Sequence, residues 1–236
     1  MCWSARADAV AGGVIAGVGV LCLIRARRAG RPRRLLLASL PLVLGTHQLI
    51  EALVWLDADG GLPDGVGTAA RTAWAVIALP LLPVLVPVGV WCAATEPDHS
   101  AGPARRGRPG PVLAVLTASG AAVAVPLAVA VAAHPVTAAE HGHTLGYGIG
   151  VPHPALLLSG YLLATIGPLL ASGDRLLRRL GLLTGAGAVL CALLWRLAFV
   201  STWCALAAVV SLLLLQWSGR TAADDRARLP PATAPR

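Results

Sequence analysis

Two ionisable side chains stand inside an apolar stretch, in Thr46-His47-Gln48-Leu49-Ile50-Glu51-Ala52-Leu53-Val54-Trp55. His47 and Glu51 are four residues apart and Trp55 follows four later, so a helix aligns all three on one stripe. An imidazole and a carboxylate at that spacing can ligate a metal, handle a proton or lock a neighbouring helix. Ionisable groups are costly inside an apolar segment, which makes this stripe the first place to look for function.

Three further residues join it as candidates. Cys2 lies in the opening Met1-Cys2-Trp3-Ser4-Ala5, and Arg196 and Cys204 flank a short turn between two apolar runs. Arg196 is a counter-ion for Glu51. Cys2 and Cys204 are read as a disulfide, as free thiols or, with His47, as metal ligands. The histidines at 134, 141, 143 and 153 read as solvated loop residues, since Glu140-His141-Gly142-His143 is too loose a metal pattern by itself. Cys22, Cys92 and Cys191 read as core residues.

The elements that must position these groups are transmembrane helices. The 236-residue chain is 56% hydrophobic and 13% charged, with a mean hydropathy of +0.73. A soluble domain carries roughly 25% charged residues. Seven apolar stretches, near 9–24, 35–56, 72–94, 111–133, 154–172, 176–195 and 201–217, approach the roughly 20 residues that a bilayer core requires. The expected fold is therefore an all-α, polytopic transmembrane bundle of about seven spans in one domain, 1–219, followed by a disordered cytoplasmic tail, 220–236.

Charge orients the bundle. Sixteen of the 19 arginines fall in alternate connections and the tail, against three at Arg6, Arg71 and Arg196. The positive-inside rule then puts the N-terminus outside, the C-terminus inside and the protein in the cell membrane as a multi-pass chain. The first stretch is expected to be a retained span, because the arginine block follows it rather than precedes it. Glu51 then lies about 7 Å and His47 about 14 Å below the outer end of the second span at about 1.5 Å per residue. Cys2, His47, Glu51, Arg196 and Cys204 are expected to converge on one outward-facing pocket.

Smaller signals concern packing. Gly13 and Gly17, and Gly181 and Gly185, are four apart and let backbones approach. Pro80, Pro83 and Pro87 should kink or interrupt the third span. Trp3, Trp55, Trp74 and Trp203 fit an interfacial aromatic belt.

Composition also excludes. No lysine occurs, so a Schiff base, a Walker-type phosphate loop and a retinal pump are all ruled out. The net charge of +8 sits in inter-span loops, so the partner is the lipid bilayer rather than nucleic acid. Oligomerisation stays open.

Met1-Cys2-Trp3-Ser4-Ala5, His47-Gln48-Leu49-Ile50-Glu51 and Ser201-Thr202-Trp203-Cys204 together resemble an actinobacterial family of multi-span membrane proteins of unknown function, over nearly the whole chain. That resemblance implies membrane identity and no mechanism. The chain is also similar in span number to seven-span membrane metallohydrolases of the ceramidase and adiponectin-receptor type. It departs from them in its last span, which lacks their His-x-x-x-His pair.

Three functions follow as expectations. In the first, the outer His/Glu/Cys/Arg site binds a metal or small ligand, with His47, Cys204 and Cys2 as metal ligands and Glu51 as ligand or base. Such soft ligands favour zinc or copper, or haem on His47, though no cofactor is specified. The second is proton-linked transport of a small solute, for which Thr184 and Ser211 are the best polar residues of the inner halves. The third is a structural or interaction protein. Enzyme activity is neither indicated nor excluded.

Overall fold

The structure is a computed structural model that describes residues 4–96, 110–141, 144–193 and 199–221, with the backbone alone described at 64, 140–141, 144, 191–193 and 199–205. Helix α1 runs Ala5–Arg28 and is capped by Ser4, whose side chain accepts the Ala7 N–H at 3.3 Å. A turn of 3₁₀ helix at Pro32–Arg34 leads through α2 (Leu35–Ala38) into α3 (Leu40–Ala58). Helix α4 (Asp64–Val76) continues through a wider π turn, Ile77–Leu81, into α5 (Leu82–Ala94). Then follow α6 (Pro111–Ala133), strands β1 (Thr137–His141) and β2 (Thr144–Gly148), and helices α7 (Pro154–Ala171), α8 (Arg175–Leu193) and α9 (Phe199–Ser218).

These helices overlap the apolar stretches, although α4 begins at Asp64, eight residues before the expected start at 72. Five of the resulting rods are long and apolar enough to cross a membrane: Ala5–Arg28, Pro32–Ala58, Gly65–Ala94, Pro111–Ala133 and Pro154–Ala171. The apolar helix Leu206–Ser218 within α9 is shorter. Their outward faces match a lipid solvent: Val14 is 64%, Val115 67% and Leu156 72% exposed. Apolar residues so exposed, repeated around a bundle, need hydrocarbon to cover them.

Among the described residues, β1 and β2 are the one departure from an all-α fold. They pair antiparallel from Thr137 opposite Gly148 to His141 opposite Thr144, where a plain loop is expected from the sequence. The hairpin closes the end of the bundle at which α3 ends and α4 begins, packing Leu145 with Val54, Trp55 and Ala70.

The tightest helix pair is α1 with α3. Buried residues on α1 are Asp8, Gly12, Ile15, Gly19, Cys22 and Ala26, spaced alternately four and three, which is one continuous seam. A Cβ added at Gly12 would lie 2.9 Å from the Gly45 carbonyl and the Leu49 nitrogen. One at Gly19 would overlap the Leu42 backbone, and one at Gly45 the Ala16 backbone. Backbones this close exclude any side chain. The expected contact pair Gly13 and Gly17 is not the one used: both are exposed and would meet nothing. They lie one position round the helix from the small residues that touch α3. Gly181 and Gly185 do face α7, next to Leu169 and Ile166.

The prolines act as expected on the third rod. Pro80 lacks the N–H that the α pattern requires and lies inside the π turn. Within that turn Ala78 has Pro83 five residues on, again without an N–H. Its carbonyl accepts the Tyr161 hydroxyl of α7 at 2.9 Å, which ties α7 to the interrupted helix.

At the other end, Arg34 lies over the Trp217 ring at 5.0 Å and donates to the Trp217 carbonyl at 3.2 Å. The Trp217 indole donates to Asp174 at 3.0 Å, and Asp174 also caps α8 through the Leu176 N–H at 2.7 Å. Leu37, Val90, Leu180, Leu214 and Cys22 form the core beside this network.

The seam predicts opposite signs for two like substitutions. Gly19→Ala should destabilise the protein by about 1–3 kcal/mol through overpacking, while Gly13→Ala should stabilise it by about 0.5–1 kcal/mol through backbone entropy. Thermal unfolding in detergent measures both.

Candidate functional site

The stripe on α3 is buried by α1, α4 and the hairpin. Glu51 is 2% and Trp55 6% exposed, and Gln48, beside them on the helix, is 4% exposed. The α1–α3 seam brings a second carboxyl to the same place. Asp8, one turn before Gly12, is completely buried and within electrostatic reach of Glu51, with the Trp55 indole beside it just outside strict hydrogen-bond geometry.

Aromatic rings complete the enclosure. Trp74 of α4 stacks on Tyr147 of β2 with centroids 3.5 Å apart and planes 7° from parallel. On the other side it meets the His47 ring at 5.1 Å, tilted by 36°. Val136, Ile149 and Val131 pack around the Trp74–Tyr147 pair and hold it at the end of the bundle. The hairpin is therefore a wall of the site, and its register decides where Tyr147 stands.

Within this enclosure several polar atoms make no hydrogen bond of good geometry among the described residues, although the Trp55 indole lies near Asp8 and the Trp74 indole near Glu51. Both Asp8 oxygens, His47 Nε2, Trp55 Nε1, Trp74 Nε1 and the Tyr147 hydroxyl are buried without a hydrogen-bond partner among the described residues. Burying one such group costs about 1–3 kcal/mol, so their gathering in one place is not a packing accident. Burial, reinforced by the Glu51 and Asp8 carboxyls, pushes the Tyr147 phenol up from its ordinary range, so it stays a neutral donor. The arrangement offers anionic acceptors, N–H and O–H donors and flat π surfaces in one enclosure. A cationic or amine-bearing group matches all three.

Of the residues expected to form the site, His47 and Glu51 are here. Cys2 and Arg196 lie outside the described residues, as does the Cys204 side chain, and with them the expected disulfide, metal thiolates and Glu51–Arg196 pair. Among the described residues no group of three His, Cys, Asp or Glu side chains is disposed to hold a metal. Trp55 and Trp74 are not belt residues facing the interface; each is 6% exposed and lines the site. Arg71, counted among the three outer arginines, is ion-paired with Asp57 and donates to Thr68 at 3.1 Å. His134 and His153 are exposed, His153 with a left-handed φ of 45° before α7.

Two members are missed by reading the sequence. Asp8 reads as a flanking charge at the start of the first span, although its four-then-three spacing from Gly12 and Ile15 places it on the seam. Tyr147 lies in a segment whose small and glycine residues give little strand signal.

The chain belongs to the family of unknown function DUF6629, whose model matches residues 1–229. No curated protein and no solved structure matches it.

A buried carboxyl with no ion partner, as Asp8 is among the described residues, lowers stability, and function is the usual reason to keep one. Asp8→Asn should therefore raise the unfolding temperature, by an amount equivalent to about 1 kcal/mol or more. Loss of about 3–5 kcal/mol would instead make Asp8 one half of a structural pair.

Proposed function

We propose that this chain is a seven-span protein of the cell membrane, with its N-terminus outside, and that its function is to bind a small organic cation at the enclosure formed by Asp8, Glu51, Trp55, Trp74 and Tyr147. The observation that carries the reading is the Asp8 carboxyl, completely buried and unpartnered among the described residues, beside a second buried acid and three aromatic rings. Carboxylates set the sign of the ligand, and the rings favour an ammonium over a strongly hydrated metal cation. The donors on Trp55, Trp74 and Tyr147 would orient a ligand that also carries an acceptor.

The same features weigh against the other classes. A purely structural polar lock would give Asp8 an ion partner, as Arg71 gives Asp57 at the same end, and none stands beside Asp8 among the described residues. Transport needs a polar route through the bundle. Below the site the hydroxyls of Thr165, Thr184 and Ser211 are satisfied by carbonyls of their own helices, at 2.8, 2.9 and 2.7 Å. The cavity between α3, α5, α7, α8 and α9 is lined chiefly by Leu, Val and Ile. Binding without passage fits this better than proton-linked uptake.

A second reading keeps the soft metal. His47 Nε2 is a buried ring nitrogen with no partner among the described residues, and Cys2 and Cys204 would complete a set for zinc or copper. Elemental analysis of purified protein beside His47→Ala separates the two readings.

The cation reading is tested by titrating ethylammonium and tetramethylammonium into detergent-purified protein while following tryptophan fluorescence. A saturable change should occur in the wild type, vanish in Asp8→Asn and persist in Asp57→Asn, whose carboxylate already serves Arg71. No saturable change in the wild type, or an equal one in Asp8→Asn, would contradict it.

A further inference from the structure

The end of the bundle opposite the acid site holds a different opening. A cavity of about 620 Å³ lies where the last turn of α1, the first turns of α8 and the end of α9 meet. Four arginines line it: Arg25 and Arg28 of α1, Arg179 of α8, and Arg220 just beyond α9, with Gln216 and Thr221 between them. Arg220 already has a carboxylate, Asp174, at 3.3 Å. Arg25, Arg28 and Arg179 are exposed and have no acidic partner among the described residues; Arg25 makes only a 3.5 Å contact to the Leu215 carbonyl.

Orienting a chain in a bilayer requires positive charge near the helix ends, and nothing more. It does not require guanidinium groups from α1, from α8 and from the residues just after α9 to face one concavity. Guanidinium donors are planar and match the oxygens of a phosphate in pairs. Three of them without counter-charge leave room for an anion carrying one or two phosphates. The level in the bundle is that of a headgroup, since α1, α8 and α9 all pass from apolar to charged residues here. Along α8, Leu176 lines this cavity, and one turn further Leu180 lines the aliphatic cavity of about 120 Å³ that also contains Leu206 and Val210. Phosphate chemistry and acyl-chain chemistry thus follow one another along the α8–α9 pair.

We infer that Arg25, Arg28 and Arg179 form a binding site for a phosphate monoester or diester group, supplied by an anionic membrane lipid. The inference is independent of the cation site, which lies at the other end of α1.

The test uses full-length protein in nanodiscs of phosphatidylcholine with increasing phosphatidylglycerol, with lipid retained on the protein read by native mass spectrometry after transfer to detergent. Inorganic phosphate and pyrophosphate are titrated in parallel. Wild type should retain phosphatidylglycerol over phosphatidylcholine. Arg25→Gln/Arg28→Gln/Arg179→Gln should lose about 100-fold in apparent affinity, from roughly tenfold or less per arginine. The charge-matched control Arg27→Gln/Arg175→Gln/Arg178→Gln, outside the cavity, should stay within a few-fold of wild type. Arg28→Gln alone, at an exposed position, keeps the test informative if the triple variant does not fold, and should lose roughly fivefold. Binding of pyrophosphate as tight as that of the lipid, with the same arginine dependence, would support the phosphate site and assign its ligand to solution. Equal losses in the control would reduce the effect to general surface charge and overturn the inference. So would binding that emerges only after Asp224→Asn/Asp225→Asn, which would give the cavity to the chain's own Asp224 and Asp225.

Discussion

Helices α1 and α3 touch through their backbones at Gly12, Ala16, Gly19, Leu42 and Gly45, and the rest of the molecule is arranged by that contact. In hydrocarbon, helices are held by packing and not by expulsion of water, so residues without side chains are what allow two rods to come close. The seam fixes the rotation of α1 about its axis. Once Gly12 and Gly19 face α3, the four-then-three spacing leaves Asp8 no choice but to face it too, beside Glu51 and Trp55. A residue with a carboxyl on that face is carried into the interior whether or not it has a partner there.

The two ends of the bundle solve their charge problems differently. At the arginine-rich end Arg34, Trp217, Asp174 and Arg220 form a connected network in which donors meet acceptors, and surplus arginines border an open cavity. At the acid end the polar atoms are enclosed, and the Asp8 oxygens, His47 Nε2 and the Tyr147 hydroxyl make no hydrogen bond among the described residues. Between them the hydroxyls of Thr165, Thr184 and Ser211 turn back onto their own helices. This polarity gradient explains why a single chain can present an anionic enclosure and a cationic opening without the two neutralising each other: nearly the full length of α1 separates them.

Much of this was legible in the residues. Hydropathy located most helices to within a few residues, missing the first two turns of α4 from Asp64, and Pro80 foretold the interrupted third rod. His47 and Glu51 stood out because they are ionisable within apolar sequence. Asp8 did not, since a charge eight residues from the start looks like the water-facing end of a span; only its register with Gly12 and Ile15 betrays it, and the eye went instead to Gly13 and Gly17. Tyr147 was hidden for another reason. Thr-Leu-Gly-Tyr-Gly has too few β-branched residues to announce a strand, and the hairpin draws its stability from tertiary contacts to Trp55 and Trp74, which no local pattern encodes. Trp55 and Trp74 were visible but misassigned, because position near a helix end does not say whether a ring faces lipid or protein.

The central claim is that Asp8 and Glu51 share one enclosure across the α1–α3 seam. A double-mutant cycle of Asp8→Asn and Glu51→Gln, read by unfolding in detergent, tests it directly. Two carboxyls that feel each other should give effects that fail to add, with a coupling of about 1 kcal/mol or more, the second neutralisation gaining less than the first. Additivity within about 0.3–0.5 kcal/mol, as for groups far apart, would contradict the account.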